Sequence, residues 1–301
     1  YGNVPDNPSL SWTVKPEYKG LIYRNGRDGG GFRGIFDGRG YNIDNLNMAE
    51  HNSSFAGQMA AGGTVRNVSF TNVTLGAAAS LISCGGIGRI ENVYAEIVSV
   101  TAGNAGNDDK TGIFFGQDSM ADARIVNCFA DVTTGLPVSG GFTGLGSYHL
   151  GYGQLNGMYA VGLETGRGFN LLSTGTGTGD AYGAYATYNE LLSAGIDFSS
   201  WAGDFWQIVN GVPYPAGLDL PEGTTPTATV DATVPSGGSV TVNGLGKYDV
   251  VTISDAAAAL GVTFTDGRIV VPESVKGGVS IAFTVSNVFD DSLSQSLSVT
   301  T

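Results

Sequence analysis

The stretch FRGIFDGRGYNIDNLNM, residues 32–48, and its sequel TVRNVSFTNVTL, residues 64–75, decide the fold. A Gly-cornered unit, Phe36-Asp37-Gly38-Arg39-Gly40, leads into a short alternating run, Ile43-Asp44-Asn45-Leu46. The run Val65-Arg66-Asn67-Val68 repeats its pattern, apolar-x-Asn-apolar. The same unit returns at Ile90-Glu91-Asn92-Val93 and Ile125-Val126-Asn127-Cys128, with a degenerate copy at Leu155-Asn156-Gly157-Met158. Successive starts lie 22, 25, 35 and 30 residues apart. Between them sit small apolar patches: Phe55-Ala56-Gly57, Leu81-Ile82-Ser83-Cys84, Ile113-Phe114-Phe115-Gly116 and Phe142-Thr143-Gly144.

A period of this length holds two or three short strands and their corners, which is one coil of a parallel β-helix. Alternation puts one face of each strand inside, and no coil buries that face alone. Coils must therefore stack. Asn at the third place of the unit would bring Asn45, Asn67, Asn92 and Asn127 into register at a corner, each amide bonding to the coils above and below. Uneven spacing then reflects corner loops of different length.

These residues resemble the GLUG-type repeats of bacterial, and sometimes phage, surface proteins. The likeness rests on residues 32–46 and on the Gly-flanked Phe patches before the later strands. The segment Phe198-Ser199-Ser200-Trp201, Phe205-Trp206-Gln207-Ile208 and Gly211-Val212-Pro213-Tyr214-Pro215 is similar to the closing piece that follows such repeats. The likeness covers about residues 10–217, and after Asp131 the spacing stretches and the Asn is lost. It implies a right-handed β-helix on an exported or virion-surface protein. It implies no catalytic residues.

Beyond the repeat the pattern changes. Residues 1–31, with Pro5, Pro8 and Pro16, read as an N-terminal capping segment. Residues 32–217 are the β-helix with its closing cap. Residues 218–227, LDLPEGTTPT, read as a linker. Residues 228–301 carry seven short β runs separated by turn signals such as Asp266-Gly267 and Gly277-Gly278, the pattern of a small β-sandwich. The Gly261–Asn287 stretch and the chain's ending resemble bacterial Ig-like modules. Two short helices are predicted: Tyr188–Ala194 before Gly195, and Asp255–Leu260 before Gly261.

Composition narrows the function classes. Glycine makes up 48 of 301 residues without a three-residue period, which excludes collagen. The 42% hydrophobic content excludes a disordered chain. A formal charge of −13 argues against nucleic acid and against anionic lipid. No apolar run is long enough for a membrane-spanning helix, so no membrane insertion is expected. Tyr1 is not preceded by Met, so a processed or partial chain is expected. Cys84 and Cys128 are expected as buried thiols, Cys128 in the inward place of Val68 and Val93.

Chemistry-bearing residues are sparse. Glu96 and Asp131 stand six residues after their unit starts and would stack one coil apart, about 4.8 Å, near the separation of a retaining glycosidase pair. They carry the alternative of a β-helix polysaccharide lyase or glycoside hydrolase. Tyr148, His149 and Tyr152, in the Pro137–Gly153 insertion, could join Tyr159 as an aromatic platform for a sugar. Asp108, Asp109, Asp118 and Asp122 could attract Ca²⁺, yet no known cage spacing is present, so no cofactor is expected. The reading is a non-enzymatic extracellular, cell-surface or virion-surface protein. Its partners would be a surface glycan, a protein or neighbouring subunits. A purely architectural subunit is the further alternative.

Overall fold

The computed structural model describes residues 9–13, 31–48, 54–76, 79–83, 85–86, 88–100, 111–116, 124–133, 145–146, 154–163 and 182–301. The chain is all-β with two short α-helices among the described residues, and it divides into two compact units. The first comprises Tyr1–Ala186, Ile196–Ile208 and Pro213–Asp219; the second comprises Thr187–Gly195, Val209–Val212 and Leu220–Thr301. The helix at Tyr188, expected within the repeat domain, groups with the second unit.

The first unit is a parallel β-solenoid. Its strands are β1 (Ser9–Thr13), β2 (Ile35–Asp37), β3 (Asn42–Met48), β4 (Gln58–Met59), β5 (Thr64–Leu75), β6 (Gly85–Gly86), β7 (Arg89–Val100), β8 (Arg124–Val132), β9 (Gln154–Val161) and β10 (Tyr182–Tyr185). An eight-stranded parallel sheet runs β1-β3-β5-β7-β8-β9-β10, with β2 also on β5. The register shows why the repeat folds this way. Val65, Ile90, Ile125 and Leu155 form one column, and Val68, Val93, Cys128 and Met158 form the next. Phe70, Ala95, Ala130 and Ala160 form a third. Val68, Val93, Cys128 and Met158 are fully buried. Each large aliphatic side chain so placed contributes roughly 1.5–3 kcal/mol of transfer free energy.

The small apolar patches build the opposite wall. Phe55 N–H donates to the Leu81 carbonyl at 3.0 Å, Leu81 N–H to that of Ile113 at 2.7 Å, and Phe114 N–H to that of Leu145 at 3.0 Å. Phe55, Leu81, Ile82, Ile113, Phe114 and Leu145 share the core with the strand columns. The expected patch at Phe142-Thr143-Gly144 lies outside the described residues.

The Ile43 copy is out of phase with the others. Ile43 pairs with Phe70 and Asp44 with Thr71, whereas Val65 pairs with Phe36 and Arg66 with Asp37. The Gly-cornered Phe36-Asp37-Gly38 is therefore the preceding copy of Val65-Arg66-Asn67. Stacking follows core volume, not the Asn signature, and Phe36 is the residue that packs against the core at this level.

The hairpin β11 (Trp206–Val209) and β12 (Val212–Pro215) turns at Asn210 and Gly211, both at positive φ as a two-residue hairpin loop requires. In the second unit β13 (Thr229–Val230), β14 (Ser239–Asn243), β16 (Thr263–Thr265) and β17 (Arg268–Val270) form one antiparallel sheet. The other contains β15 (Asp249–Ile253), β18 (Ser280–Asn287) and β19 (Asp290–Thr300). Val240, Val242 and Ile269 from the first share a core with Ile281, Phe283 and Val299 from the second. Helix α1 (Tyr188–Ser193) is capped by Thr187, and α2 (Asp255–Ala258) by Ser254. Asn189 ties α1 to β15, accepting from Val251 N–H at 2.7 Å and donating to the Asp249 carbonyl at 3.1 Å. No described helix is long and apolar enough to cross a membrane.

Candidate functional site

The third residue of each repeat unit sits where the coil turns. Asn67, Asn92 and Asn127 all hold φ at 51°, the left-handed region that Asn visits more readily than other side-chain-bearing residues. Identical backbone geometry in register makes the three side chains leave their coils alike. Asn92 Nδ2 donates to Asn67 Oδ1 at 2.9 Å. Asn67 Nδ2 in turn donates to Asp37 Oδ1 at 3.2 Å. The amide column thus terminates on a carboxylate.

Asp37 is held by more than the ladder. Its Oδ1 accepts the Arg39 N–H at 3.0 Å, and its Oδ2 accepts Arg66 Nε at 3.0 Å and lies 2.9 Å from Arg66 Nη2. Burial pushes its pKa up. The donated hydrogen bonds from Arg39, Asn67 and Arg66, with the Arg66 charge, outweigh that and hold the carboxyl below its ordinary value.

Glycine bounds the column at both ends. Gly38 occupies the level before Asn67, and a Cβ there would lie 2.6 Å from Val68 Cβ. Gly157 occupies the level after Asn127, with φ at +87°, and its Cβ would lie 2.6 Å from Trp201 Cζ2. The indole of Trp201 fills the space that a fourth side chain would take.

Asn45 does not join this column. It lies on a second bend, at the level of Asn72, and both have positive φ. There Asp44 is the hub: Asn45 Nδ2 and Asn72 Nδ2 each donate to it at 2.7 Å, as does Thr71 Oγ1. The expected ladder of four amides is two bonded amides, Asn67 and Asn92, with Asn127 in register beyond them but unbonded among the described residues, and a separate acid-centred cluster one bend further along the chain.

Beside the amide column, on the outward side of the strands, Tyr94, Phe129 and Tyr159 stand in register. They are nearly fully buried, because the segments 196–208 and 213–215 lie against them. Tyr94 meets Trp206 and Tyr214 at ring-centre distances of 6.4 and 5.4 Å. Phe129 and Tyr159 meet Phe198 at 6.3 and 5.2 Å, and Tyr159 meets Trp201 at 6.1 Å. The closing segment clamps three successive coils from the side instead of plugging an end. Tyr159, expected on a sugar-binding platform, is 5% exposed beneath this layer and presents no ring face to a ligand. Tyr148, His149 and Tyr152 lie outside the described residues.

The clamp and the amide column enclose a cleft of about 490 Å³. Asp37, Arg39, Asn67, Asn92 and Asn127 line it from the solenoid, and Trp201, Asp204, Phe205 and Trp206 line it from the clamp. The three amides are half-buried and Asp204 is exposed. Comparisons with protein-family models, with curated proteins and with solved structures find no match.

Glu96 and Asp131 are direct register partners on adjacent coils, as their spacing predicts. Their surroundings are closed. Asp131 is fully buried, and Glu96 is half-buried with its Oε2 accepting the Asn72 N–H at 3.3 Å. Burial, then the charges of Glu96, Asp131 and Asp219, raises the Tyr214 pKa, so its phenol stays protonated. A polymer cannot reach Asp131 in this arrangement. Asp108, Asp109, Asp118 and Asp122 lie outside the described residues, and among the described residues no group of three His, Cys, Asp or Glu is placed to hold a metal ion.

Sequence reasoning found the amides but missed Trp201 and Asp204 as their partners across a cleft. The dense aromatic run around 198–206 was the available signal. Its contacts link residues 39 to 112 positions apart, which periodicity cannot see.

Proposed function

We propose that this chain is a non-enzymatic surface protein, extracellular or on a virion, whose right-handed, GLUG-type β-solenoid is a rigid contact platform and whose second unit is an Ig-like spacer or binding module. The observation that carries this is the cleft of half-buried amides on the side of the solenoid, set on strands and not on a loop. A polar recognition surface fixed by stacked backbone suits adhesion, because little ordering is left to be done on binding. The two antiparallel sheets with one shared core support the Ig-like assignment.

The test is immunogold labelling of intact source cells or particles with antibody to the purified chain. Labelling on the outside is expected, and label found only after lysis overturns the reading. The second reading, a glycan-cleaving enzyme, rests on the adjacency of Glu96 and Asp131, and the burial of Asp131 counts against it. Release of reducing ends from a polysaccharide, abolished by Glu96→Gln, would establish it in place of the first.

A further inference from the structure

The cleft between the amide column and the aromatic clamp is formed wholly within the solenoid unit. We infer that it binds a neutral glycan chain running along the solenoid, with successive sugars meeting successive coils. Three observations point there.

The first is unused hydrogen-bonding capacity at a fixed repeat. A side-chain amide offers two donors and two lone pairs. Asn67 spends one donor on Asp37 and one acceptor on Asn92, and the Asn127 amide has no partner among the described residues. Each level thus retains a donor, an acceptor or both. A sugar hydroxyl is likewise both donor and acceptor, so the pairing is self-consistent at each level. The levels recur at the strand spacing of about 4.8 Å, which suits a polymer of repeating rings.

The second is the opposing wall. Trp201, Phe205 and Trp206 close the cleft across from the amides; each is at most 9% exposed, so they bound the cleft and offer a ligand a donor, not a stacking face. The Trp206 indole N–H is buried and has no acceptor among the described residues. An unmet buried donor beside a polar cleft is a cost that a ligand hydroxyl could relieve.

The third is charge. Asp37 is paired with Arg66, and Asp204 and Arg39 offset each other, so the described lining is locally balanced within a chain of net charge −13. A uronate or phosphate polymer would find no surplus cation here and would face the net charge of the chain, whereas a neutral chain would not.

This deepens the proposed adhesive role and rests on it, yet the two fail separately. Surface labelling tests the first, and binding by the purified chain tests the second. The intact chain is titrated with cellohexaose, maltohexaose and hexagalacturonate by NMR. At least one neutral hexasaccharide is expected to bind at millimolar concentration or below. Asp204→Trp, at an exposed position, fills the cleft and is expected to weaken binding by about tenfold or more with unchanged thermal melting. Asn92→Gly keeps the left-handed backbone, removes the amide and is expected to weaken binding by a similar factor at a small cost in stability; should it misfold, Asp204→Trp alone decides. Failure of both neutral hexasaccharides, tighter binding of hexagalacturonate, or binding indifferent to Asp204→Trp each overturns the inference.

Discussion

Asn92 donates to Asn67 across one coil, 2.9 Å from amide nitrogen to amide oxygen, with both residues at a φ of 51°. One residue type thus meets two demands, a left-handed corner and a bond along the stack. Asn92→Ala fails both and is expected to cost about 2 kcal/mol, from left-handed strain and the lost hydrogen bond. Asn92→Gly fails only the second and should cost less. Urea midpoints ordered Asn, Gly, Ala at constant slope would bear this out; Ala matching Gly would not.

Gly157 and Trp201 share one space. Gly157→Asn restores the repeat signature on paper, yet its Cβ would sit 2.6 Å from Trp201 Cζ2. The signature-restoring change should therefore destabilise, by roughly 1–3 kcal/mol as overpacking does. In a Trp201→Ala background the same change should cost less. A double-mutant cycle showing additivity would mean that the two positions do not compete.

Asp37 makes stability pH-dependent in a defined direction. Its pKa is lowered in the folded chain, so the unfolded chain binds the proton more readily. The stabilisation is complete above the ordinary carboxyl value of 3.8 and is lost as pH falls through the folded value. Asp37→Asn should be less stable at neutral pH and show a shallower acid limb. Parallel acid limbs in the two proteins would contradict this.

Cys128 is a free thiol, fully buried in the column of Val68, Val93 and Met158. Burial pushes its pKa up to about 12, with smaller lowering contributions from Val93 and Val126. In Cys84→Ser, where Cys128 is the single cysteine, Ellman's reagent should react only as fast as the solenoid opens. Rapid stoichiometric labelling at pH 8 in the absence of urea would show the column to be accessible.

Local sequence determined that the chain forms stacked parallel coils, because alternation and the returning Asn are consequences of short-range backbone geometry. Asn67, Asn92 and Asn127 were legible for that reason, as were the turn at Asp266-Gly267 and both helix starts. The phase of the first coil was not legible. Asn45 carries the signature, yet Phe36 and Asp37 hold the matching level, because register answers to which side chains fill a shared interior. Nor could periodicity show that Trp201 would lie over Gly157 and close a cleft beside the amides. That contact depends on the chain returning along the outward face of three coils, and only the assembled tertiary structure brings those surfaces together.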